Sequence, residues 1–364
     1  MAQVDTKKAH HVAGIFLERT GAYVLKALAK PSDDHGWMLD RQEHEPISWS
    51  VHAPETVKTG LRFLGEIIAA YRSEIDGIAV ASYGPFLSLT PGPQFGVVSA
   101  YAAGPPLNAI DLYRFVGRQL GKEWLQRGDT RFIIETDASA CSVGEAFLRG
   151  FGRGEVLAYL FATQGIGLGI SKGKKVVRNA LHPEVGLLPA YVHPDDPIAR
   201  HVGKRTERFN RNSVFDFRSI AQLSNTKALW QRYDEMRESD DYALEFKDLK
   251  KREIFWDIRA FYLAQACIAC TVVLPPHAIV IGADIDPLGD VASKTQHHFE
   301  IFLRGWRMAG EPLFTYKELS ESFITGPSPI DDQLVGPAVT GALGLCYLAA
   351  ASSEETKMVD GSYL

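Results

Sequence analysis

Residues 156–177, VLAYLFATQGIGLGISKGKKVV, read as strand, glycine-rich turn, strand, basic turn, strand. This stretch decides the fold class, because one pattern stands on both sides of it. Upstream, RFIIE (131–135) is an apolar strand followed at once by Thr136, Asp137 and the helix-like SACSVGEAFLRG. Downstream, 253–274 (EIFWDIRAFYLAQACIACTVVL) reads as one long, mostly buried helix. PPHAIVIGAD is then a strand and a turn, and a helix follows from about residue 287. The N-terminal part runs in the same order. VAGIFLE and AYVLKALA flank Arg19-Thr20-Gly21 as a β-hairpin, and ISWSVH is a third strand. Residues 54–71 place Val57, Leu61, Leu64, Ile67 and Ile68 on one helical face; GIAVAS is a buried strand and 111–120 a helix. Two similar α/β halves with a cleft between them follow from that order.

The connecting segments are polar. Residues 31–46, with Pro at each end, read as a loop between strands, and 86–106, rich in Gly and Pro, as a loop able to form part of a site. Residues 200–252 are charged, without a compact signal of their own. The last helix, 331–351, is small and apolar, and its glycines permit close packing.

Composition bounds the function. The chain has 364 residues, 46% hydrophobic and 23% charged, which is globular composition and a length near two domains of about 150 residues. A net charge of −5 argues against a general nucleic-acid binder. Cys141, Cys267, Cys270 and Cys346 are too few for a disulfide framework and fit a reducing compartment. The first residues lack the apolar run of a signal peptide, and the apolar stretches are interrupted or too short for the about 20 helical residues a bilayer needs. The expectation is a cytoplasmic protein that engages neither nucleic acid nor membrane.

Four places carry chemistry, each beside a plainer reading. Gly165, Gly167 and Gly169 can bring backbone amides to a phosphate, or merely close a tight hairpin. A strand follows them, not a helix, so the dinucleotide-binding fingerprint is a poor match. Asp137 can take a proton from a hydroxyl, while Asp137 or Thr136 can equally cap the helix. Glu184, in His182-Pro183-Glu184-Val185-Gly186, can accept two hydrogen bonds from a polyol, or sit in water as a loop glutamate. Glu18, at the first hairpin, can hold Mg²⁺ through water beside phosphate-facing amides, or simply flank a turn. Cys267 and Cys270 read as core residues, and His297 and His298 as neighbours whose rings point apart. The basic clusters 172–175 and 204–211 read as solvated turns.

Taken in order, these places resemble the ROK (repressor, ORF, kinase) family, most closely its bacterial fructokinase-like branch. The blocks that carry the likeness are VLAYLFATQGIGLGISKGKKVVRNALHPEVG, IIETDASACSVGEAFLRG and AFYLAQACIACTVVLPPHAIVIGA; SYGPF, FGVVSAYAAGPPLNAIDL and VGPAVTGALGLCYLA add to it. The resemblance implies an actin-like (RNase H-like) α/β fold with an interdomain cleft in which ATP and sugar meet. The lobes would be 1–134, joined by the helix 331–352, and 135–330. It implies Asp137 as catalytic base and Glu184, Gly84, Thr136 and His182 on the sugar side. Thr20, Gly21, Thr163, Gln164, Gly165, Gly167 and Gly282 would face nucleotide and phosphate, and Glu18 would hold Mg²⁺ indirectly. ATP phosphorylation of a hexose or hexose-like polyol, fructose first, by a homodimer, is the expected activity. The family's repressors carry a helix-turn-helix region ahead of the first strand, where this chain has only about a dozen residues.

The chain departs from the pattern in ways that matter. The family's first hairpin runs acid, spacer, Gly-Gly-Thr. One register sets Glu18 at the acid, Thr20 and Gly21 at the glycines and Ala22 at the threonine. A shifted register sets Phe16 at the acid and Glu18-Arg19 at the glycines. The first keeps an acid and puts Gly21 in the turn; either loses a glycine. Gln164, Leu168, Ala283 and Ser139 replace further family residues. The family's zinc histidine is Leu187, and no cysteine cluster follows in 190–230. No zinc is expected, and Tyr191, His193 and Phe209 become candidates to pack the loop that zinc braces in relatives. The competing reading is a catalytically silent ROK-fold protein that binds a sugar or a partner.

Overall fold

The computed structural model describes residues 8–32, 36–90, 92–99, 107, 109–127, 130–177, 183–200, 218–239, 253–286, 289–305, 307–308, 311–312, 323–330 and 336–351. The chain divides into two compact units, one of residues 1–154, 169–182 and 328–364, the other of 155–168 and 183–327. That division falls at Gly154, where the sequence suggested residue 134, and it places the helix after Asp137 in the first unit.

The first unit is built on a sheet of order β3-β2-β1-β4-β5. Its strands are β1 (His10–Glu18), β2 (Gly21–Pro31), β3 (Trp37–Ser48), β4 (Gly77–Ser82) and β5 (Arg131–Thr136). The hairpin β1–β2 and the pair β2–β3 are antiparallel, whereas β1–β4 and β4–β5 are parallel. Helix α1 (Pro54–Tyr71) connects β3 to β4, and α2 (Leu112–Leu120) and α3 (Lys122–Gln126) connect β4 to β5. Asp111 caps α2, its side chain accepting from the Arg114 N–H.

The 31–46 loop expectation is corrected: most of it is β3. The sequence hides this strand because it is a solvent-facing edge, carrying Pro46 where no ladder donor is needed. Lys26–Glu43 and Lys30–Asp40 pairs tie it to β2 at 3.4 and 3.2 Å. Its hydrophobic alternation is consequently almost absent.

Helix α4 (Asp137–Leu148) leaves β5 directly, and α9 (Pro337–Ala351), the last helix, packs across β1 and α4. Missing side chains set that approach. A Cβ on Gly144 would stand 2.0 Å from the Thr340 carbonyl, and one on Gly344 2.0 Å from the Ala140 carbonyl. The backbones pack at a separation no larger residue allows.

In the second unit and the strands continuing from it, the sheet order is β12-β9-β6-β7-β8, with β6 (Val156–Ala162), β7 (Ile166–Lys172), β8 (Lys175–Val176), β9 (Ala278–Ala283) and β12 (Ile324–Thr325). Strands β6 and β9 run parallel, as do β9 and β12. β10 (Arg307–Met308) and β11 (Glu311–Pro312) form a separate two-stranded ribbon. Helices α5 (Ile220–Ser224), α6 (Thr226–Ser239), α7 (Glu253–Val273) and α8 (Val291–Arg304) complete it. Thus part of 200–252 is helical, opened by a capping box at Ser219 and Gln222.

Helix α7 corrects one expectation about length. Its 21 residues are long and apolar enough to cross a membrane, yet 67% of its most apolar window is buried within the protein. It is read as a core helix. Cys267 and Cys270 lie on its buried side, where burial pushes both thiols up, Cys270 to about 12.

Candidate active site

Strands β1, β4 and β5 run side by side and in register at Leu17, Ser82 and Thr136. The next residue in each, Glu18, Tyr83 and Asp137, therefore leaves the sheet at the same edge. Parallel strands lie about 4.8 Å apart, so these three emerge across roughly 10 Å. The carboxyl ends of parallel strands are where open α/β sheets take ligands.

The turn from β5 into α4 settles which residue caps the helix. Thr136 is the cap: its Oγ1 accepts from the Ser139 N–H at 3.2 Å and donates to Ser139 Oγ at 2.9 Å. It is 2% exposed. Asp137, half-buried, takes the first helical position, where Oδ1 accepts from the Ala138 N–H at 2.7 Å. With the cap supplied by its neighbour, the fold does not require the Asp137 carboxylate for that purpose. Tyr83 stands beside it. The Tyr83 hydroxyl accepts from the Leu107 N–H at 3.1 Å, and the Arg19 guanidinium lies 5.9 Å from the ring centroid. Burial raises the Tyr83 hydroxyl above its ordinary value; the Asp137 charge acts the same way, and the Leu107 bond and Arg19 oppose them. A tyrosine thus sits within the field of a cation and a carboxylate. Gly84 follows it, half-buried and ahead of a cis bond to Pro85.

The tip of the β1–β2 hairpin differs from the expected one. Glu18 pairs with Gly21, so the two-residue turn is Arg19-Thr20, and Gly21 opens β2 instead of lying in the turn. Glycine is needed at 21 for space, since a Cβ would stand 2.2 Å from the Ile47 carbonyl of β3. Phe16 is wholly buried, its ring filling the place a Cβ on Gly341 would take. Glu18 is half-buried at the end of β1, and Thr20 is exposed.

In the second unit, Thr163, Gln164 and Gly165 join β6 to β7. The Thr163 N–H donates to the Gly165 carbonyl at 2.9 Å, so that amide serves its own loop; Gln164 and Gly165 are exposed, and Gly167 is half-buried on β7. Behind the loop lies Arg259 of α7, fully buried, a residue the sequence reading missed. It donates to the carbonyls of Ala162, Ser224 and Ile285 at 3.0, 3.1 and 2.6 Å and pairs with Asp284 at 3.4 Å. The Thr226 N–H closes the base of the loop on the Thr163 carbonyl at 2.9 Å. Burial lowers the Arg259 pKa and the Asp284 charge opposes it. A lone arginine inside an apolar helical run was the available signal.

The glycines separate by cause. A Cβ on Gly282 would meet the Tyr159 hydroxyl at 2.0 Å, whereas one on Gly165 meets nothing within 4 Å and the φ there is not positive. Gly282 is therefore fixed by packing, and Gly165 has no packing reason to be glycine. Gly282→Ala is expected to cost about 1–3 kcal/mol by overpacking. Gly165→Ala should leave stability within about 0.5 kcal/mol. Urea unfolding of both variants checks this, and a Gly165→Ala variant destabilised as much as Gly282→Ala contradicts it.

Glu184 is exposed and leads into the 3₁₀ turn Val185–Leu187, its carbonyl accepting from the Leu187 N–H at 3.1 Å. His182 and Phe209 lie outside the described residues. The described residues do not fit a zinc ion. Leu187 is 47% exposed, all four cysteines are buried elsewhere, and among the described residues no group of three or more His, Cys, Asp or Glu could hold a metal. Of the candidate packing residues, Tyr191 is 81% exposed while His193 is buried, edge-on to Phe261 at 4.9 Å. The His298 Nε2 lies 2.8 Å from Asp257 Oδ1.

No family model matches the sequence. A fructokinase of Streptococcus mutans is 23% identical over 263 residues, spanning 72% of this chain and 79% of that one. The ROK hexokinase of Thermus thermophilus superposes with a TM-score of 0.60 at 15% identity, covering 93% of this chain and 97% of its own. The chain has the ROK sugar-kinase fold. A ROK glucokinase of Streptomyces griseus, solved with glucose and AMPPNP, superposes at 0.56 and 14% identity over 94% of this chain and all of its own. Within this ROK fold, Glu18, Thr20, Gly21, Gly84, Thr136 and Asp137 belong to the first unit. Thr163, Gln164, Gly165, Gly167, Glu184 and Gly282 belong to the second. Arg19 and Tyr83 join the first set by geometry alone, since hairpin arginines and strand-end tyrosines carry no sequence signature.

Proposed function

We propose that the chain transfers the γ-phosphoryl group of ATP to a hydroxyl of a hexose or hexose-like polyol, with fructose the first candidate. The observation that carries the reading is Asp137, a half-buried carboxylate at the ligand-facing end of β5, released from capping by Thr136. The carboxylate takes the proton of the attacking hydroxyl. The sugar oxygen forms the new O–P bond, and the bond from γ-phosphorus to the bridging oxygen breaks, its electron pair leaving on ADP. Glu184 accepts hydrogen bonds from sugar hydroxyls, and the exposed tip at Gln164 and Gly165 admits phosphate. Glu18 would hold Mg²⁺ through water, and that ion supplies charge neutralisation to the phosphates. The fructokinase relative supports the choice of sugar, and the glucokinase solved with AMPPNP the choice of phosphoryl donor.

A coupled assay of ADP release over ketoses, aldoses and amino sugars tests the reading, alongside melting temperatures with sugar and with ATP–Mg²⁺ separately. Sugar-dependent turnover is expected, and each ligand at 100 times its Kd should stabilise by about 2.7 kcal/mol. Stabilisation by sugar alone, without turnover, would instead establish the silent sugar-binding reading.

A further inference from the structure

One charged side chain at the strand ends has no part in the reaction as derived from Asp137. Arg19 occupies the two-residue turn of the β1–β2 hairpin, and that turn is held in place. Trp49, 6% exposed, donates its Nε1–H to the Arg19 carbonyl at 2.7 Å and its backbone N–H to the Thr20 carbonyl at 2.9 Å. The guanidinium lies over the Tyr83 ring, 5.9 Å from its centroid. Such a seat orients the guanidinium plane while its N–H groups stay able to donate elsewhere. Arg19 is half-buried, and among the described residues it forms no ion pair. An ordinary solvated turn arginine would be neither anchored through its backbone nor stacked. A partly desolvated guanidinium without a carboxylate, at the edge from which Asp137 also emerges, suits an anion.

We propose that Arg19 binds the phosphoryl group being transferred, so that a side chain supplies the positive charge this hairpin's turn lacks glycine amides to provide. The turn residues carry Cβ atoms, which hold a phosphate away from their backbone, and a guanidinium spans that distance with two parallel hydrogen bonds. Asp137 takes the hydroxyl proton, ADP leaves with the electron pair of the broken P–O bond, and Arg19 keeps its own protons throughout. The inference rests on the kinase reading.

Arg19→Ala, Arg19→Gly and Arg19→Lys are compared with the wild-type protein in the coupled assay. The Ala and Gly variants are expected to lose roughly 10²-fold in kcat, the scale of one lost transition-state donor. Arg19→Lys, a point charge without the planar fork, should keep part of the rate. The KM for sugar and the melting temperature should not change, and millimolar guanidinium should restore part of the Arg19→Ala rate. Equal or higher kcat in Arg19→Gly overturns the proposal. If the wild-type protein turns over no sugar, the kinase reading fails separately, and a pyrophosphate titration decides Arg19. Binding by the wild type that Arg19→Ala loses upholds the anion site. Equal binding, or none by either protein, overturns it.

Discussion

Replacing Asp137 by asparagine is expected to lower sugar-dependent ATP turnover by about 10²–10⁴-fold, the range a positioned general base contributes. The change is close to isosteric. The asparagine oxygen can still accept from the Ala138 N–H, which Asp137 Oδ1 now does at 2.7 Å. The helix start is secured by Thr136 and Ser139, so α4 should form as before and the melting temperature should hold. What is lost is the capacity to take a proton. The KM values for sugar and ATP should therefore change far less than kcat, because positioning groups remain. Steady-state kinetics of both proteins, with melting curves, read this out. Turnover within tenfold of wild type would remove Asp137 as the base and move attention to Glu18, the other carboxylate at this sheet edge.

The sequence made this residue legible because β5 and α4 meet without a linker. An apolar run ends in Thr-Asp and helical spacing begins at once, so the boundary itself marks the side chain. The register of the first hairpin was not legible in the same way. Gly21 looked like a turn glycine, but its missing Cβ makes room for the Ile47 carbonyl of the neighbouring strand β3, and only the pairing of β2 with β3 reveals that. Strand β3 escaped notice for a related reason: an exposed edge takes its stability from cross-strand charge pairs and needs no apolar alternation. Gly282 and Gly165 looked alike in sequence and differ in three dimensions, one packed under Tyr159 and the other facing open space. Arg259 lay in plain view as a charge within an apolar helical run, and Arg232 lay in a stretch read only as charged. Their partners are far off in the chain, so nothing in the local pattern names them.

Arg232→Met is expected to destabilise the protein by about 3–5 kcal/mol, because it leaves a buried carboxylate without its counterion. The pair concerned follows the Glu184 segment. Arg232 of α6 and Asp196 are both fully buried, joined by two bonds of 2.8 Å, and Arg232 also donates to the Leu223 carbonyl. The Tyr262 hydroxyl of α7 donates to Asp196 at 2.7 Å and accepts from the His193 N–H at 3.1 Å. Burial, then the Asp196 charge, pushes that hydroxyl well above its ordinary value, so it stays a donor throughout the physiological range. One aspartate thereby fastens the 193–196 segment to α6 and α7. This is the stretch that follows Leu187. A melting-temperature loss on the order of 10 °C should accompany Arg232→Met. Exchanging both partners, Asp196→Leu with Arg232→Met, should recover much of it, since a buried pair replaced by apolar groups is often close to neutral. The wild-type protein should melt at the same temperature with and without EDTA. A chelator-sensitive melt, or a double variant no better than the single one, would show that something other than this ion pair secures the segment. The loss should also reach function. With the anchor gone, the turn at Val185–Leu187 has less to fix it, and the KM for sugar should rise while the KM for ATP stays near its wild-type value.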